Sequence, residues 1–242
     1  MRRNPWNQLI AEGAGTFLFF FVGAGSAALA DFSGATGGPG GPGLITIALA
    51  HGLVLAVLVS ALGAVSGAHF NPAVTFGVWL AGQIESRRAA TYVLAQLIGA
   101  LAAGLALRAV FTSEQSPTIG TPALAPGISP AVGIGIEVVL TVVLLVAVFG
   151  TAIDPRGPKV GGLAIGFAVG ADIMMGGPLT GAAMNPARWF GPAVATAQYG
   201  DWYVWIIGPL MGAAIAAIAY RYLLLPEADL HRTPAKPEAD VE

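Results

Sequence analysis

The chain has 242 residues, of which 55% are hydrophobic and 10% charged, and a mean hydropathy of +0.74. A soluble domain carries about a quarter charged residues, so composition excludes an ordinary soluble fold and makes this an integral membrane protein. A net charge of −2 without a basic cluster gives no basis for nucleic-acid binding, and the lack of cysteine excludes disulfides, thiol catalysis and Cys-based metal sites.

The first apolar run, residues 9–30, is broken only by Glu12. Arg2 and Arg3 ahead of it give it the outline of a signal peptide, but an acid inside the run and the return of the same pattern later in the chain argue for a span. Residues 31–43 form a Gly/Pro-rich loop, and a second run, 44–65, holds His51. A short apolar stretch at 74–80 and a charged turn at 83–88 lead to a third span, 89–110. Residues 111–129, polar and Pro-rich, read as a surface loop. The fourth span covers 130–151, a charged turn follows at 154–159, and the fifth covers 160–175. A second short stretch, 188–195, precedes the sixth span at 202–225, and the polar tail 226–242 reads as a disordered cytoplasmic extension.

Each short stretch is opened by the same tripeptide, Asn71-Pro72-Ala73 and Asn185-Pro186-Ala187. Asn is a preferred N-cap and Pro suits the first helical position, so both are helix starts. About two turns of helix cannot cross a hydrocarbon core of roughly 30 Å, which predicts half-helices meeting in mid-membrane. The halves also repeat, since Glu12 and Thr16 share their spacing with Glu137 and Thr141. Three spans in each half, about 8–110 and 130–225, make the halves enter from opposite sides, an inverted repeat whose matched Pro-interrupted segments mark the functional site. The basic residues Arg2, Arg3, Arg87, Arg88, Arg156, Lys159, Arg221, Arg232 and Lys236 fall on the side of the two termini, which are therefore expected to be cytoplasmic. The predicted fold is an all-α membrane protein with one channel-like domain, residues 1–225, of six transmembrane helices and two re-entrant half-helices.

Four polar residues within these apolar segments ask for a role. Arg188 at membrane depth must face water or a partner, the rival being an interfacial arginine that snorkels. His51, taken alone, reads as a satisfied core histidine. Glu12 and Glu137 are either a proton relay or acceptors for the backbone N–H groups of the re-entrant loop in their own half. No nucleophile-base pair or metal-ligand set appears, so no enzyme activity, cofactor or metal is expected.

The strings Gly67-Ala68-His69-Phe70-Asn71-Pro72-Ala73-Val74-Thr75 and Met184-Asn185-Pro186-Ala187-Arg188-Trp189-Phe190-Gly191-Pro192, set in register with the repeat, closely resemble the aquaporin (major intrinsic protein) family. Two facing helix N-termini, each with about half a positive charge, repel cations at the pore centre. Each capping Asn keeps its NH2 group to donate to a passing oxygen. The resemblance implies a selectivity constriction of His51, Ile173, Ala182 and Arg188, a set similar to that of tonoplast intrinsic proteins and wider than in a strict water channel. It gives His69 a place on the pore wall, loop packing being its plainer role. It implies a homotetramer in lipid passing water, with ammonia, urea and hydrogen peroxide as further candidates. A glycerol facilitator is the alternative within channels, but its marker places hold Trp189 and Ala193; Trp189 and Trp205-Ile206 fit neither subfamily cleanly. A proton-coupled transporter using Glu12 and Glu137 is the alternative of another class. The excess of Arg over Lys and the Ala/Gly richness suggest a prokaryotic inner membrane.

Overall fold

A computed structural model describes residues 5–34 and 42–224 of the chain. The expected tail at 226–242, with Arg2, Arg3, Arg232 and Lys236, lies outside the described residues. Those described fold into helices alone: α1 (Pro5–Phe32), α2 (Pro42–Ser66), the short α3 (Pro72–Leu80), α4 (Ser86–Val110), α5 (Pro130–Val148), α6 (Leu163–Thr180), the short α7 (Pro186–Thr196) and α8 (Val204–Ala219). Five-residue π-turns, Phe149–Ile153 and Tyr220–Leu224, continue α5 and α8. Six of the helices, with their π-turns where present, are long and apolar enough to cross a membrane.

Local chemistry sets the helix ends. Ser129 caps α5 through a bond from the Val132 N–H, with Pro130 in the first turn. Gly181, at φ +81°, closes α6 in the left-handed conformation, its N–H bonded to Gly177 O. The fifth span thus runs beyond 175 to Thr180 despite Pro178, because a proline in the last turn costs one hydrogen bond without ending the helix. Likewise α7 passes through Pro192 to reach 11 residues, against 9 in α3.

The packing follows the inverted repeat. Helix α1 packs on α4 and α2 as α5 packs on α8 and α6; α7 lies on α4 as α3 lies on α8; α2 meets α6, and α3 meets α7, across the pseudo-twofold. In lipid, association rests on close contact, so small residues sit at the crossings. A Cβ on Gly99 would run into the Gly13 carbonyl, and one on Gly212 would lie 2.5 Å from Val138 O. Gly99 and Gly212 therefore serve packing within the chain.

Candidate functional site

The two short helices are built alike. Asn71 adopts an extended backbone and its Oδ1 accepts from Ala73 N at 2.8 Å and Val74 N at 3.4 Å; Asn185 does the same with Ala187 N at 2.9 Å and Arg188 N at 3.3 Å. The amides then cross the pseudo-twofold. Asn71 Nδ2 donates to Met184 O at 2.9 Å, and Asn185 Nδ2 donates to Phe70 O at 3.0 Å. So one hydrogen of each NH2 group is already engaged, and the second alone is left for a permeant, a correction to the expectation of a wholly free group. These bonds hold the two helix N-termini together.

Each loop ahead of a short helix takes positive φ at non-glycine residues: Ala68 and Phe70 in one, Ala182 and Met184 in the other. Such backbone persists only where its surroundings over-determine it. Glu12 and Glu137, both fully buried, are those surroundings. Glu12 accepts from Ser66 Oγ (2.6 Å), His69 N (3.0 Å), Phe70 N (2.9 Å) and Gln96 Nε2 (2.8 Å). Glu137 accepts from Thr180 Oγ1 (2.7 Å), Ala183 N (3.0 Å) and Met184 N (2.7 Å).

A cavity of about 630 Å³ runs through the bundle, its wall including His69, Asn71, Ala182 and Asn185, with Gln83 and Arg88 also lining it. A second, of about 190 Å³, is lined by residues of the 111–129 loop and the N-terminal part of α2. His51, Ile173 and Arg188 line both, so they stand where the two spaces meet. His51 Nδ1 lies 2.9 Å from Ile47 O, and its Nε2 accepts from Arg188 Nε at 3.2 Å. The ring has room because residue 23 is glycine: a Cβ there would come within 2.5 Å of the imidazole. Arg188, 6% exposed, also donates from Nη1 to Gly120 O at 2.7 Å, so it is held inside the bundle and does not snorkel. His69 sits half-buried on the cavity wall with Nδ1 3.1 Å from Thr75 Oγ1 and its ring edge-on to Tyr92, so wall and packing roles coincide in one residue.

Two residues stand out that the sequence patterns do not single out. Gly120 belongs to the segment read as a surface loop, yet Ile119 beside it is fully buried, and a Cβ on Gly120 would lie 2.9 Å from Ala24 O. The loop dips into the bundle to deliver a carbonyl to Arg188. Asp172, next to Ile173 in α6, is 4% exposed, and its Oδ2 has no hydrogen-bond partner among the described residues. An acid inside an apolar run was the signal for it, while nothing local marks Gly120.

Comparison with known proteins fits this architecture. The family model described as "Major intrinsic protein" matches residues 1–220. Aquaporin TIP4-4 of Zea mays is 44% identical over 222 residues, covering 90% of this chain and 87% of its own length. Probable aquaporin TIP3-2 of Arabidopsis thaliana is 43% identical over 225 residues, covering 90% and 83%. The X-ray structure of the aquaglyceroporin from Plasmodium falciparum shares the fold, with a TM-score of 0.80 at 24% identity, covering 94% of this chain and all of that one. The two sequence relatives are plant proteins, and the prokaryotic plasma membrane expected from composition gains no support from them. On the family match and these identities, the chain belongs to the major intrinsic protein family of membrane transport proteins.

Proposed function

We propose that the chain is a passive water channel that excludes ions and protons, with His51, Ile173, Ala182 and Arg188 as its constriction. The observation that carries the reading is the reciprocal pair of bonds from Asn71 and Asn185. They set two positive helix ends against each other on the wall of the long cavity. As is general for aquaporin-type pores, that field opposes cations and hydronium. The remaining amide hydrogens orient a passing water oxygen. The TIP-type aquaporins among the relatives support water as the permeant over glycerol.

Ammonia, urea and hydrogen peroxide are further permeants on this reading, because Ala182 and Ile173 bring only an aliphatic edge to the narrowest point. The termini face the cytoplasm and the chain assembles as a homotetramer in lipid with one pore per subunit, as the basic-residue distribution and the family resemblance imply. Glu12 and Glu137 serve the loops. Their oxygens are occupied by loop and side-chain donors, which supports that role against a proton relay.

The test is stopped-flow light scattering on proteoliposomes challenged in parallel with an impermeant sugar, urea and glycerol. Fast shrinkage in sugar with a low activation energy, followed by re-swelling in urea, is the expected result. Shrinkage without re-swelling in urea means a narrower water pore. No response above empty liposomes overturns the channel.

A further inference from the structure

The two halves share their frame but not the filling behind it. With Asn71 and Asn185 in register, Thr75 corresponds to Trp189 and His69 to Ala183; with Gly99 and Gly212 in register, Tyr92 corresponds to Trp205 and Gln96 to Pro209. In the first half the space behind the re-entrant loop holds a polar network: Gln96 Nε2 bonds Thr75 Oγ1 at 2.9 Å, Thr75 Oγ1 meets His69 Nδ1 at 3.1 Å, and Tyr92 OH donates to Ser66 O at 2.8 Å. In the second half only the last of these has a counterpart, Trp205 Nε1 donating to Thr180 O at 3.0 Å. The rest of the space is taken by the Trp189 ring, which stacks on Trp205 with centroids 6.0 Å apart and planes within 8°. Both rings are buried in one apolar cluster with Ala183.

We propose that the stacked indoles of Trp189 and Trp205 are positioning residues for the constriction, fixing the loop between Thr180 and Met184 and thereby the gap between Ala182 and Arg188. The inference rests on the constriction assigned under the proposed function. Trp189 directly follows Arg188 on the first turn of α7, and its partner ring grips the carbonyl of Thr180. The hydroxyl of that same Thr180 accepts from Ala182 N at 3.1 Å. The stack thus ties the strained side of the aperture, Ala182, to the helix that carries its charged side. A polar network can shift by exchanging bonds with water from the cavity. Two faced indoles, each with two torsions and a large rigid area, have no such alternative, so this half of the pore wall is the stiffer one.

The test compares Trp189→Ser, Trp189→Phe and Trp205→Phe with the parent in proteoliposomes, reading the ratio of urea to water permeability per reconstituted channel, with Ala182→Phe as control. Trp189→Ser empties the space behind Ala183 and raises the ratio several-fold, while Trp189→Phe keeps a stacked ring and stays near the parent. Trp205→Phe keeps the ring but loses the N–H to Thr180 O, and raises the ratio in the same direction; it decides the matter if Trp189→Ser does not reach the membrane. Unchanged ratios in the tryptophan variants, with Ala182→Phe lowering the ratio, overturn the positioning role and leave the constriction standing. An unchanged ratio in Ala182→Phe as well removes the constriction itself, and the proposal with it.

Discussion

Arg188 and His51, from helices in opposite halves of the chain, share one hydrogen bond, Nε to Nε2 at 3.2 Å. The imidazole presents a single N–H toward Ile47 O and a single lone pair toward the guanidinium, so the neutral tautomer satisfies both ring nitrogens. Gly120 O fixes the other side of Arg188. The cation is thus held between two acceptors without an opposite charge in direct contact, and it keeps further donors for a permeant. Replacing His51 by Ala removes both a wall and an acceptor. Urea permeability is expected to rise several-fold relative to water, whereas Ala182→Phe lowers the same ratio. Parallel sugar and urea gradients on liposomes read both, and unchanged ratios place these residues off the permeation path.

The fold was legible because the half-helices carry their own boundary chemistry: Asn cap, Pro at the first position, then too few apolar residues to span. Glu12 and Glu137 are visible too, as charges inside apolar runs, whereas Asp172 is not singled out among them. What escaped was whatever depends on contact between distant segments. The polar, proline-rich 111–129 stretch has no local sign that Gly120 will reach Arg188, since the reason lies in Ala24 and Ala27, against which only a glycine fits. Trp189 and Trp205 were visible as misfits to either subfamily, but their stacking depends on how α7 meets α8. The end of α6 was misplaced because Gly176, Gly177 and Pro178 look like a helix stop. Here Gly176 instead admits the Leu140 side chain.

Glu12 and Glu137 give a test of structure against transport. Each carboxylate faces donors only, and a glutamine turns an NH2 group toward them. One buried donor is then left unpaired, at a cost of about 1–3 kcal/mol. Glu137→Gln and Glu12→Gln are therefore expected to lower the thermal stability of the detergent-solubilised protein, while water permeability per correctly inserted channel stays close to the parent. Normal stability combined with lost transport, or permeation that becomes dependent on a proton gradient only in the parent, favours the relay.

Acid should act first outside the membrane. In the turn after α5, the side chain of Arg156 bonds both oxygens of Asp154, at 2.9 and 2.7 Å, and its backbone N–H adds a third bond at 2.9 Å. These hold the Asp154 carboxyl at about 2, below its ordinary 3.8. The same guanidinium donates to Leu224 O at 2.8 Å, tying the turn to the end of α8. Because the folded-state value is the lower one, the stabilisation is fully present above about pH 4 and is lost as the pH falls from there toward 2. The melting temperature of the parent is expected to drop more between pH 5 and 2.5 than that of Asp154→Asn, which has no such contribution to lose. Parallel pH dependences in the two proteins contradict this account.

The α2–α6 crossing is the last place where the sequence leaves no slack. Gly52 and Gly166 face each other across the pseudo-twofold: a Cβ on Gly166 would run into the Gly52 carbonyl, and one on Gly52 would lie 2.7 Å from Gly166 O. Both obstacles are backbone, which cannot rotate away as a side-chain end can. Gly166→Ala therefore forces the helices apart beside Gly52, the neighbour of His51, and about two turns before Ile173 in α6, at a cost typical of overpacking, about 1–3 kcal/mol. Gly63, in the same helix as Gly52 and with open space at its Cβ, is the control, and Gly63→Ala is expected not to lower stability, alanine being favoured over glycine in a helix by about 0.5–1 kcal/mol. Because the helices that separate carry His51 and Ile173, Gly166→Ala should also raise urea permeability relative to water in whatever fraction inserts. A loss of stability without that change in ratio means that the two helices part away from the site, and an unchanged melting temperature means that the crossing is looser than the facing carbonyls require.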